Sequence, residues 1–190
     1  MKRPHADAEL TPPSPYDADP EAEEDLWFLP EPDEEVAQAP LPRADRRNLL
    51  RPPDHLAPEL AAAAEPLACA VHAMVRSGAR AADTIVVLGG GPQGLFLTWL
   101  AARRGCRVIL CDPHPERRDR AARFGAAHVA PAPTGSSERD EVLSHTQERG
   151  GADVVFAAVG RPDAWEQAID LVAPGGDVNL HGGCPPGATL

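Results

Sequence analysis

The sequence predicts an α/β fold in which helices cover both faces of a doubly wound, parallel sheet of about five strands. Three observations support this prediction. Short apolar runs rich in β-branched residues recur from residue 84 onward, and a helical pattern follows each of the first four. Glycine or proline marks most boundaries between them. The first apolar run is continuous rather than alternating, which is typical of a strand buried on both faces.

The predicted elements follow one another in a regular order. A largely helical segment rich in Ala and Leu spans residues 49–80, with a break at Pro66, which is expected in the first turn of a second helix. Gly78 ends this segment. The predicted strands are 84–89, 107–112, 128–132, 152–160 and 177–183. The predicted helices between them are 95–104, 115–125, one capped by Ser136 or Ser137 that runs through Glu148, and 162–176, closed by Gly175 and Gly176.

Residues 1–48 form a separate acidic, proline-rich segment. The chain has a net charge of −11, of which −10 belongs to residues 1–45, where 13 acidic residues face 3 basic ones. Nine of the 22 prolines fall within residues 1–42. This composition predicts disorder, because such a segment buries too little apolar surface to offset its ordering entropy. The negative charge also argues against a nucleic-acid partner held through its phosphates.

One apolar cluster, Leu-Trp-Phe-Leu from Leu26 to Leu29, lies between acidic blocks of this segment. Two interpretations stay open. The cluster is either a short linear motif that docks into a groove of a partner protein, or a chance apolar group in a solvated tail.

The cysteines indicate the redox compartment. Cys69, Cys106, Cys111 and Cys184 form no C-x-x-C pair. We expect no signal peptide, because the sequence does not open with a charged and then apolar stretch. This predicts free thiols in a reducing cytoplasm. No apolar run approaches the ~20 residues that span a bilayer, so we expect a soluble protein with no membrane partner.

A glycine motif lies between the first predicted strand and the helix after it. Gly89, Gly91 and Gly94 fit G-x-G-x-x-G, and Asp112 ends the second strand about 20 residues on, which is the context of a dinucleotide-binding loop. The first glycine permits the tight turn, the second lets a pyrophosphate approach the backbone, and the third packs the helix on the strand. The helix N-terminus offers unpaired N–H groups and a partial positive charge to the phosphates.

The choice of dinucleotide depends on Asp112. Its carboxylate would accept both hydroxyls of an adenosine ribose and repel a 2′-phosphate, which favours NAD over NADP. Arg117 and Arg118 follow closely and soften that preference. A turn that binds nothing stays an alternative, and the spacing does not exclude a flavin-binding loop. A methyltransferase loop is disfavoured, because the stretch VVLGGG lacks the acid that usually precedes such glycines.

Four stretches, HLAPELAAAAEPLACAVHA, VVLGGGPQGL, GADVVFAAVG and LVAPGGDVNLHGGCPPG, occur in this order. Over roughly residues 49–190 the chain resembles the zinc-dependent, medium-chain alcohol and polyol dehydrogenases, especially their sorbitol- and threonine-dehydrogenase-like branch. The resemblance implies a Rossmann-type dinucleotide-binding domain over residues 81–190, preceded at 49–80 by the end of a catalytic domain. It also implies hydride transfer between a secondary alcohol and NAD, with zinc polarising the alkoxide.

The resemblance further implies roles for individual residues. Those implied to contact the cofactor are Gly89, Gly91, Pro92, Gln93, Gly94, Asp112, Val159, Gly160, His181 and Gly182. Gln93 stands where an aliphatic residue is common, and His181, implied near the nicotinamide, replaces an apolar residue. Glu65 matches an acid that lies at or near the catalytic zinc. The resemblance assigns no catalytic residue within this chain.

Departures from the family limit what the resemblance implies. The catalytic Cys and His-Glu pair of the N-terminal domain and the four-cysteine structural-zinc loop have no counterpart, and the chain stops before a sixth strand. We therefore expect the cofactor-binding half of such an enzyme, truncated at both ends, weakly active or inactive alone, with zinc not retained. Glu65, Cys69 and His72 have i, i+4, i+7 spacing that suits a three-ligand zinc site, but we favour a helix-start acid and ordinary helix residues, because ligands this close along one helix rarely converge on a tetrahedron.

Two other functional hypotheses stay open. The chain is alternatively a non-catalytic nucleotide-binding or interaction module that uses its acidic segment, or a degenerate gene fragment. A five-stranded sheet that ends in an unprotected edge would favour aggregation in the second case. The substrate and the oligomeric state are not predicted, and an oligomer is not excluded.

Overall fold

Strands and helices alternate from Thr84 onward in the structure, a computed structural model that describes residues 51–146 and 149–184. The chain divides into two units, Met1–Arg51 and Pro52–Leu190, and the described residues belong almost entirely to the second. The strands are β1 (Thr84–Leu88), β2 (Arg107–Cys111), β3 (His128–Ala130), β4 (Ala152–Ala157) and β5 (Val172–Leu180). The helices are α1 (Pro58–Ala61), α2 (Ala64–Arg76), α3 (Pro92–Arg103), α4 (Pro115–Arg123), α5 (Ser136–Ser144) and α6 (Pro162–Leu171).

The five strands form one sheet in the order β3-β2-β1-β4-β5, and every neighbouring pair is parallel. The predicted doubly wound parallel sheet is confirmed. The chain moves outward from β1 to β3 and then crosses back to β4 on the other side of β1. The carboxyl ends of β1 and β4 therefore flank the point where the strand order reverses, which is the usual ligand crevice of such sheets.

Both faces of the sheet are covered, as the continuous apolar run of β1 predicts. Ile85 and Val87 pack in one apolar cluster with residues of α2 and α3. Val86 and Leu88 point the other way, into a second cluster with residues of α5 and α6. All five residues of β1 are buried. Successive side chains of a strand alternate between faces, so a strand covered on both sides needs apolar residues at every position.

The helical segment before the sheet agrees with its prediction except in the place of the break. α1 ends at Ala61 and α2 begins at Ala64, so Pro66 lies in the first turn of α2 and the break precedes it. Proline is tolerated there because the first N–H groups of a helix have no partner within the helix. Gly78 follows the end of α2 with φ +63°, the left-handed conformation that commonly ends helices.

Several predicted helix ends differ from the structure. α3 begins at Pro92 rather than Leu95, and α5 stops at Ser144, before the predicted end at Glu148. Gly135, rather than Ser136 or Ser137, occupies the N-cap of α5, and no side chain caps this helix. α6 stops at Leu171, before Gly175 and Gly176. Val172 is already extended and begins β5.

The early end of α6 has a local cause. The backbone of a residue before proline is disfavoured in the helical conformation, which disfavours a helix through Ala173, the residue before Pro174. Gly176 then lies close to β4, where a Cβ on it would be 2.8 Å from the carbonyl oxygen of Asp153. A pattern of apolar and polar residues alone does not reveal this contact.

Several predictions fall outside the described residues. The acidic segment at 1–48, with its apolar cluster from Leu26 to Leu29, is among them, and so is Glu148 at the predicted end of α5. Among the helices of residues 51–146 and 149–184, none combines the length and the apolar character that a membrane span requires.

Candidate functional site

The glycine loop leaves β1 and opens α3, as predicted. Gly89 has φ +105°, and a Cβ on it would lie 2.6 Å from Cγ1 of Val159. A Cβ on Gly94 would lie 1.8 Å from the carbonyl oxygen of Gly89, so only glycine lets α3 start this close to β1. A Cβ on Gly91 would meet nothing within 4 Å. The first and third glycines are therefore required by the protein itself, whereas the second leaves open space beside the backbone.

The N-terminus of α3 faces this open space without a cap. Gly91 is the N-cap residue in an extended conformation, Pro92 is the first helical residue, and no side chain bonds to the helix end. The first turn holds no acidic residue. Its N–H groups lack intrahelical partners, and the helix dipole adds partial positive charge. This combination is suited to an anion such as a phosphate.

Asp112 follows β2 and is almost completely buried, with 1% of its surface exposed. Its Oδ2 accepts a 2.7 Å hydrogen bond from the backbone N–H of Gly90, and its Oδ1 accepts a 2.8 Å bond from the N–H of His114. Nη1 of Arg117 lies 3.6 Å from Oδ2. The carboxylate is thus held in position by the glycine loop, with which it was predicted to bind the same dinucleotide.

A cavity of about 330 Å³ lies at the carboxyl ends of β1, β2 and β4. Gly89, Asp112 and Val159 all line it. The strand order brings these three predicted residues together at the crevice beside β1 and β4, where the order of the strands reverses. The other predicted cofactor residues lie outside the lining of this cavity.

The ends of β4 and β5 approach each other closely. The N–H of Gly182 donates a 2.8 Å hydrogen bond to the carbonyl oxygen of Ala157. A Cβ on Gly182 would lie 2.4 Å from the carbonyl carbon of Val159, and one on Gly160 would lie 2.2 Å from the carbonyl oxygen of Gly183. These glycines are explained by backbone packing, and their contact with a cofactor stays a prediction.

His181 and Gln93, both predicted to contact the cofactor, are hydrogen-bonded to each other. Nε2 of His181 lies 3.0 Å from Oε1 of Gln93, across 88 residues of sequence. Burial lowers the pKa of the His181 imidazole below its ordinary value. No spacing in the sequence indicates this pair, because it depends on β5 and α3 lying at the same edge of the sheet.

The cavity also contains residues that the sequence did not single out. Thr134 follows β3, while Asp163 and Gln167 belong to α6, and all three line the cavity beside Asp112. Asp163 forms two hydrogen bonds with Arg161, and this partner lowers the pKa of the carboxyl. The sequence offered only a general indication of these residues, because loops that follow neighbouring parallel strands meet at one edge of the sheet.

The residues considered for zinc do not converge. Glu65, Cys69 and His72 are exposed on α2, and the Cys69 thiol donates a 3.1 Å hydrogen bond to Glu65. That bond, with lesser effects of burial and of the Glu65 charge, raises the pKa of Cys69. Across residues 51–146 and 149–184, no three His, Cys, Asp or Glu side chains are grouped to hold a metal ion. The described donor set does not fit zinc, and Glu65 as a ligand stays a prediction.

Comparisons with known proteins identify the family of the chain. The family described as zinc-binding dehydrogenase matches residues 92–190. The chain is 33% identical to sorbitol dehydrogenase of Bacillus subtilis over 68% of this chain and 36% of that protein. It is 32% identical to L-threonine 3-dehydrogenase of Pyrococcus horikoshii over 76% of this chain and 41% of that protein.

A solved structure extends this likeness to the fold. A zinc-binding dehydrogenase from Sinorhizobium meliloti bound to NADP is 31% identical and superposes with a TM-score of 0.61, covering 66% of this chain and 37% of that one. The chain thus spans well under half the length of these relatives. The resemblance predicted from the motifs is confirmed at the level of the family.

Proposed function

The chain belongs to the zinc-binding dehydrogenase family, and we propose that its described domain binds a nicotinamide dinucleotide for hydride transfer to or from a secondary alcohol. The observation that carries this proposal is the arrangement of the glycine loop. Gly91 leaves open space at the uncapped N-terminus of α3, while Asp112 lies in the adjoining cavity. The first feature suits the diphosphate of an adenosine diphosphate group, and the second suits its ribose.

The pyrophosphate is assigned to the N-terminus of α3. There the absence of a Cβ on Gly91 gives the phosphates access to the backbone N–H groups of the first turn. The Pro92 ring has no N–H, so Gln93 and Gly94 supply the first donors of the helix. No acidic side chain in this turn repels the phosphates.

The adenosine ribose is assigned to Asp112. Both carboxylate oxygens already accept one backbone N–H each, but each oxygen has a further lone pair for a hydroxyl group. We propose NAD as the preferred cofactor, because a buried carboxylate at this position repels a 2′-phosphate. Arg117, 3.6 Å from Oδ2, reduces that repulsion and makes the preference moderate.

The described domain supplies cofactor binding rather than the complete reaction. When bound, the cofactor accepts or supplies the hydride, and the residues of this chain bind and orient it. The family's zinc would polarise the alcohol oxygen, but the described residues do not fit that ion. We therefore propose that these residues alone do not catalyse alcohol oxidation at a substantial rate.

The test is a fluorescence titration of the purified full chain with NADH and, separately, NADPH. Saturable binding of both, tighter for NADH, is expected, and Asp112→Asn should reduce the difference because it removes the negative charge. Absence of saturable binding by a chain with a cooperative unfolding transition would refute the proposed function. Equal or tighter binding of NADPH by the unmodified chain would refute the NAD preference alone.

A further inference from the structure

Gln93 and His181 join the first turn of α3, where the phosphates are proposed to bind, to the end of β5. Gln93 lies in the first turn of α3, and His181 directly follows β5. The 3.0 Å distance joins Nε2 of the imidazole to Oε1 of the amide. Because an amide oxygen only accepts, the imidazole Nε2 is the donor. In the neutral ring the proton is then on Nε2, and Nδ1 is left as an acceptor. We call this pair the Gln93–His181 clasp.

The surroundings of the clasp favour the neutral form of the imidazole over the charged form. His181 is half-buried, and burial lowers its pKa, as expected when a charged ring would lose solvation. The first turn of α3 offers no carboxylate. In the loop after β4, Arg161 is bound to Asp163. Among residues 181–184, the other titratable group is the thiol of Cys184. None of these groups is a free carboxylate that would stabilise an imidazolium.

A bound pyrophosphate would shift the His181 ring towards its protonated form. Gln93 lies two residues beyond Gly91, so the clasp adjoins the place assigned above to the phosphates. Two negative charges near an imidazole favour its protonated form. Protonation at Nδ1 converts that atom from an acceptor into a donor and leaves the Nε2 bond to Gln93 intact.

We propose that the clasp couples dinucleotide binding to proton uptake: His181 takes a proton from solvent onto Nδ1 when the pyrophosphate binds, while Gln93 positions the ring. This inference rests on the proposed function of the site. Its consequence is that affinity for a pyrophosphate ligand rises as the pH falls through the range between the His181 pKa values of the bound and free chains. Gln93 acts as a positioning residue, through its bond to the imidazole.

The experiment is isothermal titration calorimetry of the full chain with ADP-ribose, in two buffers of different ionisation enthalpy. ADP-ribose carries the pyrophosphate without the nicotinamide, and its phosphates stay ionised around neutral pH. The difference between the two buffers gives the number of protons taken up per ligand bound. His181→Gln keeps a hydrogen-bond donor but does not titrate, and His55→Gln, at an exposed position outside the site, is the matched control.

The clasp predicts fractional proton uptake by the unmodified chain and by His55→Gln, and uptake close to zero in His181→Gln. Gln93→Leu, which removes the acceptor, should reduce the number of protons taken up per ADP-ribose bound, because the imidazole is then no longer held beside the phosphates. An NMR titration of the unmodified chain supplements these variants, because ADP-ribose should move the titration of the His181 ring to higher pH.

Two calorimetric outcomes would overturn the proposed coupling while leaving the proposed function in place. They are ADP-ribose binding without proton uptake, and uptake that persists undiminished in a folded His181→Gln variant. An unchanged His181 titration in the presence of bound ADP-ribose would overturn it as well. If a folded chain bound neither ADP-ribose nor NADH at any pH tested, the proposed function itself would fail, and the clasp with it.

Discussion

The backbone N–H of Gly90 donates a 2.7 Å hydrogen bond to Oδ2 of Asp112, which joins the glycine loop to the residue after β2. The other carboxylate oxygen accepts the N–H of His114. Asp112 therefore has a structural task in addition to the ribose contact proposed for it. The same carboxylate fixes the glycine loop that we propose binds the phosphates.

Asp112→Ala should consequently reduce stability as well as binding. It leaves two backbone N–H groups without their charged acceptor, and hydrogen bonds to charged groups contribute about 1.5–3 kcal/mol each. We expect a loss of roughly 3 kcal/mol in the free energy of unfolding, measured by urea denaturation. Asp112→Asn retains one acceptor oxygen and should lose about half as much. Wild-type stability of Asp112→Ala would contradict this structural role.

The second and third glycines of the loop should respond differently to alanine. Gly94→Ala places a Cβ 1.8 Å from the carbonyl oxygen of Gly89, so α3 must move away from β1 and the domain should be strongly destabilised. In Gly91→Ala the added Cβ has no atom within 4 Å, and the φ of −73° suits alanine. The unfolding midpoint of this variant should therefore change little. Parallel thermal melts of the two variants measure this difference. Similar melting temperatures would contradict the loop geometry.

The stability of the domain should fall below neutral pH because of His128. Its ring stacks on His145 at 3.5 Å, and burial, followed by the charge of His145, lowers the pKa of His128 despite Glu141 nearby. Its pKa is thus lower in the folded chain than in the unfolded chain, so the unfolded chain binds more protons. This contribution is complete above the ordinary histidine pKa of about 6.5 and is lost as the pH falls towards the lower folded value.

Urea midpoints measured across that range test this expectation. The midpoint should decrease with falling pH, and His128→Gln should remove part of the decrease. It should not remove all of it, because the pKa of His181 is lowered as well. A pH dependence that is identical in the variant would exclude His128 as a source.

The thiols should differ in reactivity. Glu65 raises the pKa of the exposed Cys69, so Glu65→Gln should increase the rate of Cys69 alkylation at neutral pH, because more thiolate forms. Cys111, whose pKa burial raises to about 12, should stay unmodified until the chain unfolds. Mass spectrometry of the alkylated peptides measures both rates. Slower alkylation of Cys69 in the variant would contradict the assigned hydrogen bond.

The sequence predicted the sheet well because its strands carry strong local signals. β1 is apolar at each position except Thr84, Gly89 has φ +105°, and Gly94 lies too close to the carbonyl of Gly89, in the same turn, to carry a Cβ. Such information lies within a few neighbouring residues. The alternation of strand and helix predicted a parallel, doubly wound sheet, because few other arrangements suit that pattern; the order of the strands came from the structure.

Features that depend on long-range contacts were not predictable in the same way. The bond between Gln93 and His181 and the position of Gln167 in the cavity both require the complete strand order. The pattern of α6 also suggested a longer helix, because it does not show that Gly176 must lie against β4. At Glu65, the resemblance named a residue but gave no partner, and the described residues supply no converging ligand set.

The most direct test of the proposed function is NADH binding by Gly91→Ala compared with the unmodified chain, at a temperature where both are folded. A Cβ on Gly91 would occupy the open space assigned to the pyrophosphate without disturbing the protein. We predict saturable binding by the unmodified chain and a decrease in affinity of about tenfold or more, equivalent to at least ~1.4 kcal/mol, in the variant. Equal affinity of the two chains would mean that the phosphates do not bind at this loop, and would contradict the account.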